Sequence, residues 1–145
     1  MQPFSKAALA IALLLAATQA HSEVVVVVNA GTSAAPSQSD VANIFLGKDT
    51  RLKGIDQAGW NPTKEKFYGS VTGKNESQLK SYWSGLVFTG KGQPLRSAAD
   101  DAAVVALVAE ESNAIGYVDR SAVNDKVKVL LGACRDKGKI HSFGL

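Results

Sequence analysis

The apolar positions change period several times along the chain, and each change marks an element. Residues 24–28 are five consecutive valines. β-Branched residues favour strands, and a run without alternation suits a strand buried on both faces. Asn29-Ala30-Gly31-Thr32-Ser33 breaks the run. Beyond Pro36 the spacing becomes helical. Val41, Ile44 and Phe45 share a face, Ser37 and Asp40 stand at capping-box spacing, and Gly47 is placed as a helix stop. Residues 48–60 read as loop with a short strand around residues 52–55. Asn61-Pro62 then gives an N-cap with proline at the first helical position. Phe67, Tyr68 and Val71 supply the buried side of that helix, which ends at Gly73.

Asn75 and Gln78 open another helix, on which Leu79, Tyr82, Trp83 and Leu86 recur at i, i+3, i+4 and i+7. An aromatic stripe at that spacing predicts core packing rather than a ligand cage. Residues 89–94 form a loop. The next helix, capped by Ser97 or Asp100, turns Val104, Val105, Leu107 and Val108 inward. Ser112-Asn113 makes a turn, and residues 115–118 and 127–130 read as strands. The order is strand, helix, strand, helices, loop, helix, strand, strand. Strands alternating with helices predict an α/β sandwich with a mostly parallel sheet.

The first twenty residues stand apart. Lys6 precedes an uninterrupted apolar run over residues 7–17, and Thr18-Gln19-Ala20 presents a small-residue cleavage site. This is the layout of a secretory signal peptide, cleaved near Ala20. The run is about half of the ~20 residues that a membrane-spanning helix needs. The expected product is a periplasmic single domain over residues 21–145, with a short polar C-terminal tail and no membrane span. Cys134 is the only cysteine, so an internal disulfide is impossible and stability must come from a packed core. A formal charge of +3, from 16 Lys+Arg and 13 Asp+Glu, comes without any block of five like charges, so no nucleic-acid arm is indicated.

Candidate chemistry is sparse. The two histidines, His21 and His141, lie at the ends of the mature chain. A hydrolytic triad needs a histidine held beside a nucleophile, and a zinc site needs three or four ligands. Neither is supplied, so no catalytic residue, metal or cofactor is expected. Asp100-Asp101 and Glu110-Glu111 fall at opposite ends of one helix and cannot face each other as an acid and base. Gly85-Leu86-Val87-Phe88-Thr89-Gly90-Lys91 matches the start of a phosphate-binding loop. Gly92 follows where Ser or Thr should hold magnesium, and a helix precedes it where a strand should. Asn75-Glu76-Ser77 matches an N-glycosylation acceptor.

The positive signal is anion binding by helix starts, whose free N–H groups and dipole favour negative charge. Gly31, Thr32 and Ser33 offer amides and hydroxyls after the first strand, and a second helix starts at Asn61-Pro62-Thr63. In a parallel sheet both would lie at the carboxyl edge, where α/β folds bind ligands. Ordinary loops and caps are the alternative.

Three segments carry a resemblance. Residues 37–48, SQSDVANIFLGK, resemble the helix followed by IFLGK of phosphate-type periplasmic binding proteins. Residues 81–92, SYWSGLVFTGKG, are similar to a segment of that family's small single-lobe members, and residues 114–118, AIGYV, match a strand common to both. The resemblance spans roughly residues 24–130. It implies one three-layer lobe of a type 2 periplasmic binding protein, a mostly parallel sheet with helices on both faces; with no nucleophile–base pair or metal set in the sequence, the expected role is non-enzymatic, binding phosphate or a similar oxyanion in uptake or sensing. A transporter, porin or sensor partner and a homodimer are further expectations.

The family's phosphate loop, approximately R-x-D-G-S-G-T, corresponds to residues 56–63. Thr63 carries over and Gly59 matches loosely. The family's arginine has no counterpart there, and Asp56 adds a negative charge that opposes an anion. Arg51, Lys53, Lys91 or Arg96 would have to supply the positive charge. The expected ligand contacts are therefore Gly31, Thr32, Ser33 and Thr63, with Lys91 or Arg96 as charge partner. The alternative is a periplasmic protein-interaction module that keeps the lobe fold and binds no small solute.

Overall fold

Five valines in sequence leave no polar face to turn to water, and the chain places them inside a sheet. The computed structural model describes residues 23–133 and 140–142. The expected signal peptide, His21 and Cys134 lie outside these residues. The elements are β1 (Val24–Asn29), α1 (Gln38–Phe45), β2 (Lys53–Gln57), α2 (Pro62–Val71), α3 (Glu76–Phe88), β3 (Arg96–Ala98), α4 (Asp101–Glu110), β4 (Ala114–Asp119), a 3-10 turn (Arg120–Ala122), β5 (Val127–Ala133) and β6 (Ile140–Ser142). The six strands form one sheet in the order β3-β2-β4-β1-β5-β6.

The expected three-layer α/β lobe is what forms. Val24, Val26 and Val28 point into one core with Phe45, Phe67, Tyr68, Leu79 and Tyr117, under α1, α2 and α3. Val25 and Val27 point into the other, with Val104, Val105 and Val108 of α4. Each valine is at most 1% exposed, and each fully buried side chain of this size adds about 1.5–3 kcal/mol of hydrophobic stabilisation. Gly116 sets the spacing of the second layer. A Cβ there would meet Val104 Cγ1 at 2.5 Å, so the missing side chain lets α4 lie close on β4. On the other face Phe67 and Tyr117 stack, with centroids 4.1 Å apart and planes 6° from parallel.

Local signals hold at each helix start. Ser37 and Asp40 close a reciprocal capping box, and Asn75 and Gln78 close another. Asn61 caps α2 with Pro62 in its first turn, and Asp100 caps α4. Gly47 and Gly73 adopt φ near +75° beyond the ends of α1 and α2.

Two strands carry no pattern in the sequence. β3 is three residues of mixed polarity that pair in parallel with Ile55, Asp56 and Gln57, closing the outer edge of β2. β6 falls in the stretch expected as polar tail, where it pairs antiparallel with β5.

Strand direction matters most for function. β2, β3, β4 and β5 run one way, consistent with a mostly parallel set of strands. β1 opposes both its neighbours, pairing antiparallel with β4 and β5. A valine run is the same read from either end, so its direction is set by which strands flank it.

Candidate functional site

The reversal of β1 divides the expected site. Val28 lies opposite Ile115, and Gly54 also lies opposite Ile115. The end of β1 is therefore level with the beginnings of β2 and β4, while β2 ends beside the end of β4. Gly31, Thr32 and Ser33 follow β1 at one edge of the sheet; Thr63 follows β2 at the other. At about 3.3 Å per residue, roughly 13 Å of strand separates the two levels. The expected convergence of Gly31, Thr32 and Ser33 with Thr63 does not occur.

The Gly31 and Thr32 amides after β1 are also engaged. Asn29 donates from Nδ2 to the carbonyls of Val108 (3.0 Å) and Ala109 (2.9 Å), near the end of α4. Its Oδ1 accepts the Gly31 amide at 2.8 Å. The Thr32 amide donates to the Asn29 carbonyl, and the Thr32 hydroxyl accepts from the Ala34 amide at 3.2 Å. Lys128 Nζ donates to the Thr32 carbonyl at 2.5 Å. α1 begins later, at Gln38, and its start already holds the Asp40 carboxylate, which accepts the Ser37 amide at 3.0 Å. That hydrogen bond holds the Asp40 carboxyl below its ordinary value. An external anion at α1 would meet this charge.

Lys91 and Arg96 line a cleft of about 650 Å³ with Asp49, Thr50, Lys53, Gly54, Leu95 and Glu111, around the beginning of β2. Arg96 is taken up by Glu111, with Nη1 2.7 Å from Oε1. Lys91 and Arg96 thus gather around the beginning of β2, while Thr63 follows its end. Arg51 is bound by Asp49 at 2.5 Å, which holds the Asp49 carboxyl down to about 2. Gly85, Val87 and Phe88 lie in the last turns of α3, so the stretch resembling a phosphate loop ends a helix instead of joining a strand to one.

The edge where β2 ends carries a denser arrangement. Gln57, 2% exposed, donates through Nε2 to Asp101 Oδ1 (2.6 Å) and the Tyr117 carbonyl (3.0 Å), and its Oε1 accepts Asn61 Nδ2 (3.0 Å). This ties β2, α4, β4 and the α2 cap together. Asn61 Oδ1 accepts the Lys64 amide at 2.8 Å. Asp56 accepts the Tyr117 hydroxyl and the Gln57 amide through one oxygen, and its other oxygen lies 3.5 Å from Lys64 Nζ. Lys64 Nζ also donates to the Gln57 carbonyl at 2.9 Å, and it sits 6.0 Å from the Trp60 ring centroid and 5.9 Å from that of Tyr68. The ammonium thus reaches back to the end of β2.

Burial pushes the Tyr117 and Tyr68 phenols up, and the nearby Asp56 charge adds to the shift. Both stay protonated through the physiological range, and Tyr117 donates to Asp56. The sealed Tyr68 hydroxyl has no hydrogen-bond partner among the described residues. An open cleft of about 540 Å³ adjoins this edge, lined by Asp56, Gly59, Trp60, Lys64, Glu76, Leu79, Lys80, Trp83, Ser84 and Pro94.

Of the expected contacts, Thr63 alone lies at this edge, in the first turn of α2. Gln57, Lys64 and Tyr117 were not singled out by sequence reasoning, because their roles depend on bonds across elements. Lys64 had one local signal: it directly follows the Asn61-Pro62-Thr63 helix start. Among the described residues no three His, Cys, Asp or Glu side chains gather to hold a metal, and no helix is long and apolar enough to cross a membrane.

No protein-family model and no curated protein sequence matches the chain. Solved structures do. A phosphate ABC transporter substrate-binding protein with bound phosphate, from Clostridium perfringens, aligns with a TM-score of 0.57 at 18% identity, over 74% of this chain and 44% of its own. An ABC-type phosphate transport receptor from Vibrio cholerae aligns with a TM-score of 0.58 at 14% identity, over 74% of this chain and 45% of its own. The chain therefore has the fold of part of such proteins, and the match spans less than half the length of each.

Proposed function

We propose that the chain is an exported, non-enzymatic, solute-binding-like lobe that holds phosphate or a related oxyanion weakly at the start of α2, in connection with uptake or sensing. The observation that carries this reading is Lys64. Its ammonium reaches back to the Gln57 carbonyl and Asp56, ahead of α2 and beside an open cleft, and the dipole at the start of α2 adds to the pull on negative charge. The Thr63 hydroxyl would add a neutral donor, and Gly59, at φ +75°, gives the preceding loop its turn. Asp56 opposes the ligand's charge and keeps the affinity low. Gly31, Thr32, Ser33, Lys91 and Arg96 are not part of this site.

Titration calorimetry with inorganic phosphate tests the reading. Saturable heat is expected. Thr63→Ala should weaken binding about tenfold, the loss of one hydrogen bond to a charged group, and Thr32→Ala should leave it unchanged. No heat at millimolar phosphate would refute it.

A second reading, a protein-interaction module on the same fold, is favoured by a separate observation. α3, which lines the cleft, ends in Val87 and Phe88, which are 48% and 92% exposed.

A further inference from the structure

β3 pairs with β2 only from Arg96 onward, opposite Ile55. Carried back two positions, that register would set Pro94 against Lys53, and proline brings no N–H to a ladder. Residues 91–95 accordingly carry no helix or strand. Among the described residues, no strand flanks Lys53 and Gly54 on that side. The cleft of about 650 Å³ opens between this free edge and the stretch that leads into β3. Its size falls within the range of small-ligand pockets, about 300–1,000 Å³. Pro94 also lines the cleft beside α2, but the other residues of the two clefts differ.

The lining identifies the ligand. Its two carboxylates are already paired within the chain, Glu111 with Arg96 at 2.7 Å and Asp49 with Arg51 at 2.5 Å. Lys53 and Lys91 are exposed, and among the described residues no carboxylate pairs with either ammonium. The uncompensated charge is therefore positive. Beside it stand Leu52 and Leu95, half-buried against the core, and exposed Pro94. A bare oxyanion would leave that apolar wall to water, and a neutral hydrocarbon would leave the lysines unmatched. An anionic head on an apolar body answers both.

We propose that this cleft binds small monocarboxylates with an apolar chain, the head beside Lys53 and Lys91 and the chain along Leu52, Pro94 and Leu95. Exposed ion pairs contribute modestly, so the chain supplies most of the affinity and the lysines set the preference for an acid. The inference does not rest on oxyanion binding at α2, and its test uses phosphate-free buffer so that the two can fail separately.

Hexanoate added to the ¹⁵N-labelled chain should move amides within residues 50–54 and 91–96 saturably, with a dissociation constant of about 1 mM. Hexan-1-ol, which keeps the chain and loses the charge, should bind about tenfold more weakly. Acetate, which keeps the charge and loses the chain, should not saturate. Lys53→Ala combined with Lys91→Ala removes two exposed side chains. It should weaken hexanoate about tenfold and leave the circular dichroism spectrum unchanged, whereas Thr63→Ala should bind hexanoate as the parent does. No saturation by about 30 mM hexanoate, movement centred on residues 59–64, or equal binding of hexanoate and hexan-1-ol would overturn the proposal.

Discussion

At the edge where β1 ends, a single asparagine absorbs the local polarity: its carboxamide serves two carbonyls near the end of α4 and the Gly31 amide. At the edge where β2 ends, Gln57 does comparable bridging work, yet a lysine ammonium and a carboxylate remain beside an open cleft. Both edges carry a glycine-containing loop and a helix start after a strand. One has its Gly31 and Thr32 amides satisfied internally and behaves as structure. The other keeps charge at a cavity mouth. The composition of a loop therefore does not reveal a site; what counts is whether neighbouring elements have already used its hydrogen-bonding groups.

The largest effect should follow from breaking the second edge. Asp56→Ala removes the acceptor of the Tyr117 hydroxyl and the partner of Lys64, whose side chain is 14% exposed. Leaving a nearly buried cation unpaired costs about 3 kcal/mol, which urea unfolding would register. Asn29→Ala, at the first edge, leaves the Val108 and Ala109 carbonyls and the Gly31 amide without their partner. A loss of about 2 kcal/mol is expected, with phosphate heat unchanged. A change in binding there would erase the contrast between the edges.

Much of the fold was legible because its signals are local. Ser37 with Asp40, Asn61 with Pro62, Asn75 with Gln78, and Asp100 each bond within their own helix start, so a few consecutive residues suffice to place them. The buried valine run was legible for the same reason. Its direction was not, since that depends on the distant strands β4 and β5. This one choice moved Gly31, Thr32 and Ser33 away from Thr63. The polar network of Asp56, Gln57, Lys64 and Tyr117 was equally hidden, because Gln57 and Tyr117 are separated by 60 positions and meet only through the sheet. Asp56 was expected to oppose an anion; the structure adds that Lys64 partly offsets it.

Smaller perturbations sharpen the contrast. Gly47 has φ +77°, and a Cβ there would lie 2.9 Å from the Trp83 ring. Gly47→Ala should cost about 1–2 kcal/mol in thermal unfolding, and it should also disturb the cleft wall that Trp83 forms. The least effect belongs to Asp40. Its pKa is lowered from 3.8 by the Ser37 hydrogen bond, so its contribution is complete above that ordinary value and fades as pH falls through the lowered one. The Tm difference between the parent and Asp40→Asn should accordingly be largest above pH 5 and shrink in stronger acid. A difference that grows in acid would contradict the capping assignment.

The central claim is that the working edge of this lobe lies at the start of α2. A titration of the ¹⁵N-labelled chain with inorganic phosphate, followed by amide chemical shifts, addresses it most directly. The amides of Thr63 and Lys64 should move saturably while those of Gly31, Thr32 and Ser33 stay in place. Movement confined to Gly31, Thr32 and Ser33, or to Lys91 and Arg96, would contradict the account.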